Sequence, residues 1–284
     1  MKTDKTYDYI IYSASLSGVL TAIDLSKKGN SVLLLNFYGF MGGSITESLN
    51  CHQVIDEESL NGSAKTLFEK IKETKHAILN QSGNEFILNP ETIKIILQEE
   101  IENSNIDLLF HIVPFYLKQR EDYVEFSVTG KEGIFQIKGK TIVDASDEFD
   151  LLKLENVKRS LKEIYYNLFL TVLKDDKWQS FELINTLKKL DDNRYWVSLS
   201  IPKPDNDFFI ENASQKILNQ FEEVVQKSEG RVQLVAPQSQ RIYEVDRLVI
   251  SESVFHVKSK LSNLFSMQAK FKELSELRIG LKNN

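Results

Sequence analysis

The chain has 284 residues, enough to bury one large core or two closely joined ones, and its make-up of 42% apolar and 27% charged residues is ordinary for a globular protein. A formal net charge of −6 excludes a general cationic field for nucleic acid or acidic lipid. Cys51 is the single cysteine, which excludes an internal disulfide and a cysteine-built metal site and fits a reducing compartment.

The opening segment is not expected to act as a signal peptide: the apolar run Tyr9–Tyr12 is short, and Ser13, Ser15 and Ser17 follow it. No stretch approaches the roughly 20 apolar residues of a membrane span, so a cytoplasmic protein is expected. Asp8–Tyr12 predicts a strand covered on both faces. A helix follows over Leu16–Lys28, with Val19, Leu20, Ile23 and Leu25 as its apolar face and Gly29 as its stop. The run "SVLLLN" (Ser31–Asn36) predicts the second strand of a right-handed βαβ unit, hence a parallel sheet.

Further on, Asn61–Leu79 predicts an amphipathic helix that faces inward through Leu67, Phe68, Ile71 and Ile78. Asn89 is the cap and Pro90 the first residue of another helix, whose apolar positions are Ile93, Ile96, Leu97 and Ile101. "IDLLFHIVPFYLKQ" predicts a strand with an edge or bend at Pro114. A hairpin turning at Gly130–Gly133 comes next, and then a separate buried strand, Lys140–Ser146. Ser160–Leu173 suits strand or helix equally. Trp178–Leu190 predicts a helix, "RYWVSLSIP" a strand, Glu211–Lys227 a helix, and "GRVQLVAP" and "RIYEVDRLVI" strands. Pro202–Phe208 is a hinge candidate. Lys27-Lys28 and Lys188-Lys189 read as solvated helix ends.

Four stretches together resemble the FAD-dependent oxidoreductase family with a glutathione-reductase-like Rossmann domain. They are the strand-turn-helix at Tyr7–Gly29, the "NFYGFMGG" after the second strand, the helix-strand-hairpin from Asn89 to Lys138, and "TIVDASDEFDLL". The resemblance implies an α/β fold: a Rossmann-like FAD/NAD(P)-binding parallel sheet with helices and an inserted β-hairpin or meander, plus a smaller α+β region. It implies a Rossmann-like FAD-binding-type domain over 1–155, a reduced substrate-type region over 156–255, and a return segment over 256–284. FAD is the cofactor it implies, and the positions it assigns to cofactor binding are Ser13, Ser15, Gly18, Asn36, Gly42, Gly43 and Val113.

Several of those positions depart from the family pattern. In G-x-G-x-x-G the glycines serve a tight turn, close approach of the pyrophosphate, and close helix-strand packing. Here they are Ser13, Ser15 and Gly18, so only the packing glycine remains. The three hydroxyls can cap the helix or donate to an anion in a shifted pose. Asn36 stands where the family has a ribose-binding carboxylate. Asp147 and Phe149 stand where it has glycine, bringing charge and bulk, while Asp144 and Asp150 match its pattern or cap local turns. "LSNLFSMQ" (Leu261–Gln268) and "SELRIG" resemble the family's approach to the flavin without its glycine.

The resemblance therefore implies a cofactor site with degenerate motifs. The protein is expected to be non-catalytic or partner-dependent, with a full-length flavoprotein homologue or a second copy as partner. The alternative is an active FAD-dependent oxidoreductase with a divergent flavin site and a small substrate. A pocket for a smaller anion or nucleotide is a third possibility. His52, His76, His111 and His256 have no metal-binding spacing, and Cys51-His52 is a poor nucleophile-base pair. Arg241 suits either a carboxylate substrate or an ion pair with Glu244 or Asp246. Phe208-Phe209 and Phe265/Phe271 read as packing residues, since the basic interleaving of nucleic-acid binders is missing.

Overall fold

A computed structural model describes residues 5–154, 158–173, 177–245, 249–251 and 254–256. Strand β1 (Thr6–Tyr12), helix α1 (Leu16–Lys27) and strand β2 (Val32–Leu35) form the parallel unit that the opening sequence predicts. β1 lies at its centre, with Ile10 opposite Leu33 on β2 and opposite Ile142 on β9 (Gly133–Asp144). β6 (Ile106–Leu109) extends the parallel sheet beyond β2. On the far side of β9, the strand pair β15 (Val249–Ser251) and β16 (Val254–His256) closes it.

Both faces of this sheet are buried, and successive side chains divide between two cores. Ile11, Leu34 and Val143 pack beneath α1, α3 (Gly62–Glu73) and α4 (Pro90–Glu102). Ile10, Leu33 and Ile142 face the opposite way, toward Val124, Phe126 and Val128. Those three lie on β8 (Val124–Gly130), which with β7 (Val113–Gln119) and the first half of β9 makes an antiparallel meander. Double coverage is why these strands read as unbroken apolar runs rather than alternating ones.

The second region is an antiparallel sheet around the long β10 (Arg159–Val172), which resolves the ambiguous run as strand. It pairs with β12 (Arg194–Ser200), β13 (Gly230–Val235) and β14 (Gln240–Val245), and β11 (Ile184–Lys189) lies outside β12. Helix α6 (Ile210–Lys227) covers it through Leu218, Phe221 and Val225. A small third sheet, β3 (His52–Val54), β5 (Glu85–Leu88) and β4 (Ile78–Ser82), sits beside α3. Among the described residues no helix is long and apolar enough to cross a membrane.

Several elements differ from the sequence expectation. The helix predicted to reach Leu79 ends at Glu73: Thr74 turns extended (ψ 120°), His76 takes φ 65°, and Ile78 begins a hairpin strand. Trp178–Leu190 is a 3₁₀ turn over Lys177–Ser180 followed by β11, because Leu187 and its neighbours find partners on β12. Lys188-Lys189 is accordingly a strand pair. "IDLLFHIVPFYLKQ" is two strands, β6 and β7, broken at His111 with φ 59°. Lys140–Ser146 is no separate strand, since β9 runs unbroken from the hairpin into the parallel sheet. Phe208 and Phe209 are exposed (82% and 50%) and pack mainly edge-to-face on each other. Asp246, Arg247, Leu261–Gln268, Phe265, Phe271, "SELRIG" and most of the predicted return segment lie outside the described residues, as do the side chains from Val245 onward.

Candidate functional site

At the carboxyl ends of β1 and β2, between the parallel sheet and the antiparallel one, lies a cavity of about 570 Å³. This is where an open α/β sheet presents ligands. Ser13, Asn36 and Val113, three of the positions singled out in the sequence, line it. Ser15, Gly18, Gly42 and Gly43 are not among its lining residues, and Ser15 pairs with Gly42 instead.

Ser13 links β1 to α1 with φ 79°, the left-handed backbone in which a Cβ is disfavoured. Gly18 permits the tight approach of α1 to this turn: a Cβ there would stand 2.0 Å from the Ser13 carbonyl oxygen. Ser15 is the N-cap. Its Oγ accepts from the Gly18 amide (3.1 Å), donates to the Ala145 carbonyl (2.7 Å) and lies 2.8 Å from Ser17 Oγ. A hydroxyl has one hydrogen and two lone pairs, so Ser17 must be the donor and the Ser15 hydroxyl is saturated.

Asn36 is only 1% exposed and is likewise bonded within the chain. Its Oδ1 accepts from the Ala14 amide (2.9 Å), and its Nδ2 donates to the carbonyls of Phe40 (2.6 Å) and Tyr38 (3.3 Å). The loop after β2 then folds onto the turn after β1. The Gly42 amide donates to the Ala14 carbonyl (2.8 Å), and Gly42 pairs with Ser15 in a parallel bridge. Gly43 (φ 55°) sits so close that a Cβ would lie 2.7 Å from that of Ser15. The short helix α2 (Ser44–Glu47) starts here, and its Ser44 amide donates to Asp147 Oδ2 (2.9 Å).

Asp147 belongs to the acidic segment that leaves β9. Asp144 accepts from Ser146 and from the Leu151 amide, fixing the segment and starting α5 (Asp150–Leu154). Glu148 and Asp150 line the cavity together with Asp147 and with Glu47 from α2. Burial pushes Glu47 up to about 8; the charge of Asp147 adds to the shift and the Asn36 amide opposes it. Burial also raises Glu148 to about 7 against the pull of Arg241. Asp150 rises to about 6, through burial and the neighbouring Asp144, with Arg159 opposing.

Arg241 meets Glu148 (3.2 Å) and Glu211 (2.7 Å) rather than Glu244, which pairs instead with Lys162 (2.8 Å). The sequence pointed to Arg241 but to neither of those partners, because both come from distant elements. Glu47 was missed altogether. Its only signal was its place four residues after the glycine pair that precedes α2. Cys51 is wholly buried and desolvation pushes its thiol well up, which disfavours the nucleophilic thiolate. Among the described residues no group of three or more His, Cys, Asp or Glu side chains is placed to hold a metal ion.

A parallel βαβ core with a cavity at the carboxyl ends of its strands, an inserted meander and a second antiparallel sheet define a Rossmann-like flavoprotein fold. The sequence profile described as FAD dependent oxidoreductase matches residues 8–165, more than half the chain, and the chain belongs to that family. Solved structures with the same fold include p-nitrophenol 4-monooxygenase from Pseudomonas putida DLL-E4, at 12% identity and a TM-score of 0.60, over 90% of this chain and 72% of that one. Aklavinone-11 hydroxylase, solved with FAD and aklavinone, matches at 11% identity and a TM-score of 0.64, over 99% of this chain and 63% of that one. The Diels-Alderase PyrE3 from pyrroindomycin biosynthesis matches at 11% identity and a TM-score of 0.59, over 88% of this chain and 58% of that one. At such identities the likeness concerns the fold. The chain spans less than two thirds of the length of the last two. A comparison with curated protein sequences gives no match.

Proposed function

We propose that this member of the FAD-dependent oxidoreductase family has a degenerate cofactor site and works as a non-catalytic or partner-dependent protein. One observation carries the reading: the polar groups at the head of α1 and the end of β2 bond one another. A dinucleotide would need the helix-end amides for its diphosphate and an acceptor at position 36 for its ribose. Here the Gly18 amide is taken by Ser15, and the Asn36 oxygen by the Ala14 amide. The remaining lining fits FAD no better. Glu47, Asp147, Glu148 and Asp150 line the cavity together with Lys153, while its arginine, Arg241, is already shared between Glu148 and Glu211. A diphosphate would enter against the charges of Asp147 and Asp150, with Glu47 protonated at neutral pH.

The same fold among solved structures includes two proteins named as hydroxylating or monooxygenating enzymes and one named as a Diels-Alderase. Fold alone therefore assigns no redox step to this chain. In the same reading the partner is a full-length flavoprotein homologue or a second copy of the chain. The alternative, an active flavoenzyme with a divergent site, draws on the cavity itself, still bordered by Ser13, Asn36 and Val113.

The deciding experiment is the visible spectrum of protein purified without added cofactor. We expect no flavin band after the protein is freed of loosely held small molecules. Stoichiometric flavin absorbance would replace this reading with the alternative.

A further inference from the structure

We infer that Asp147 sets the charge of what this cavity admits: its carboxylate, held on the Ser44 amide, is a built-in anion that keeps a diphosphate out. The inference rests on the degenerate-site reading and names the group responsible for it.

Three segments converge at this residue: the turn after β1, the loop after β2 and the segment leaving β9. Asp147 Oδ2 accepts from Ser44 at 2.9 Å, and a Cβ on Gly43 would stand 3.1 Å from the same oxygen. The Ser15 Cβ lies 2.7 Å from the same position. The carboxylate thus bonds directly to the loop that seals the head of α1, and it also lines the cavity.

Two effects follow from one side chain. The carboxylate satisfies a main-chain donor that faces a ligand cavity, so an entering anion would have to displace it. It also brings a negative charge to a lining in which the nearby Glu47 holds a proton at neutral pH, and a second anion a few ångströms away is repelled through a medium of lowered dielectric. Arg241 offers little relief, because Glu148 and Glu211 already claim it, and Lys153 is the other cation of the lining. Ser15 and Asn36 remove hydrogen-bond capacity without adding charge. Asp147 does both.

The test titrates FAD and ADP into the wild-type chain, Asp147→Ala and Asp147→Asn by calorimetry, and follows amide exchange at Ser44. Asp147→Ala is expected to bind FAD at least tenfold more tightly than the wild type and to exchange the Ser44 amide faster. Asp147→Asn, which keeps an acceptor oxygen but no charge, is expected to show a smaller gain. Should Asp147→Ala fail to fold, Asp147→Asn alone decides: any gain supports the inference, and affinity equal to wild type overturns it. Two folded variants that bind no better than a non-binding wild type would likewise overturn it and leave the degenerate-site reading standing. Tight stoichiometric binding by the wild type would overturn that reading itself, and this inference with it.

Discussion

Ser15 has one hydrogen to donate and two lone pairs with which to accept, and Ala145, Ser17 and Gly18 use all three. That accounting was half legible in the sequence. A serine before an apolar helical run reads as a cap, and so it is. Its second bond, to a carbonyl 130 residues away, belongs to the tertiary fold and has no local signal. Asn36 repeats the lesson, since an asparagine at a strand end says nothing of which amide it will face. Glu47 carries a prediction at this scale. Its folded pKa, about 8, lies above the ordinary carboxylate value of 4.5, so the folded state holds a proton that the unfolded chain releases. The stability that this proton contributes is complete below about pH 4.5 and is lost as pH rises through 8. Glu47→Gln keeps the neutral form at every pH. It should match the wild type at pH 4.5 and exceed it at pH 8.5 by about 3–5 kcal/mol, the linkage of a carboxyl raised from 4.5 to about 8. Parallel denaturant titrations at the two pH values measure this, and equal differences at both would remove Glu47 from the buried cluster.

Among the elements, those with strong local punctuation were read correctly, and those shaped by distant partners were not. α4 has an asparagine cap, a proline at its first position and an isoleucine-rich face. In the fold Asn89 Oδ1 accepts from the amides of Glu91 (3.1 Å) and Thr92 (3.4 Å), while Ile93, Ile96 and Leu97 are buried. β11 has no such marks. Its apolar spacing fits a helix, and only the long ladder of β10 and β12 beside it makes it a strand. β10 itself is apolar and aromatic on both sides of its pleat, so periodicity alone could not place it. Asn89→Ala should therefore destabilise the protein by about 1 kcal/mol, the typical loss of an N-cap acceptor. Thermal unfolding would show this as a drop of roughly 2–4 °C for a chain of this size. Asn89→Asp should recover most of it, because a carboxylate accepts from the same amides and favours the positive end of the helix. A null result for both would mean that Pro90 and tertiary packing alone hold this end.

Across the whole molecule, the cavity exists because the antiparallel sheet is fastened onto the loop that follows α2. The Trp196 indole donates to the Leu49 carbonyl (2.8 Å), and Asn167 Nδ2 donates to the Ser48 carbonyl (2.7 Å), both in buried surroundings. Arg241 reaches Glu148 from the same sheet, and Tyr38 donates to Gln238 Oε1 (3.0 Å) across the cavity. The main apolar cluster also runs without a break from β1 and α1 through Trp196, Leu168 and Phe221. Two sheets that share a core and buried hydrogen bonds gain little by opening separately, so they should unfold together. Trp196→Phe tests this. The ring volume is largely kept, but the Leu49 carbonyl keeps only the Cys51 amide as donor (2.7 Å), so one buried hydrogen bond is lost at a cost of about 0.5–1.5 kcal/mol. The expected result is a lower denaturation midpoint with an unchanged slope, and coincident transitions by far-ultraviolet dichroism and by fluorescence of the remaining Trp178. Separation of those two curves, with the signal of Trp178 in the antiparallel region falling first, would mean that the docking bond had been all that coupled the sheets, and the cavity between them would then open and close on its own.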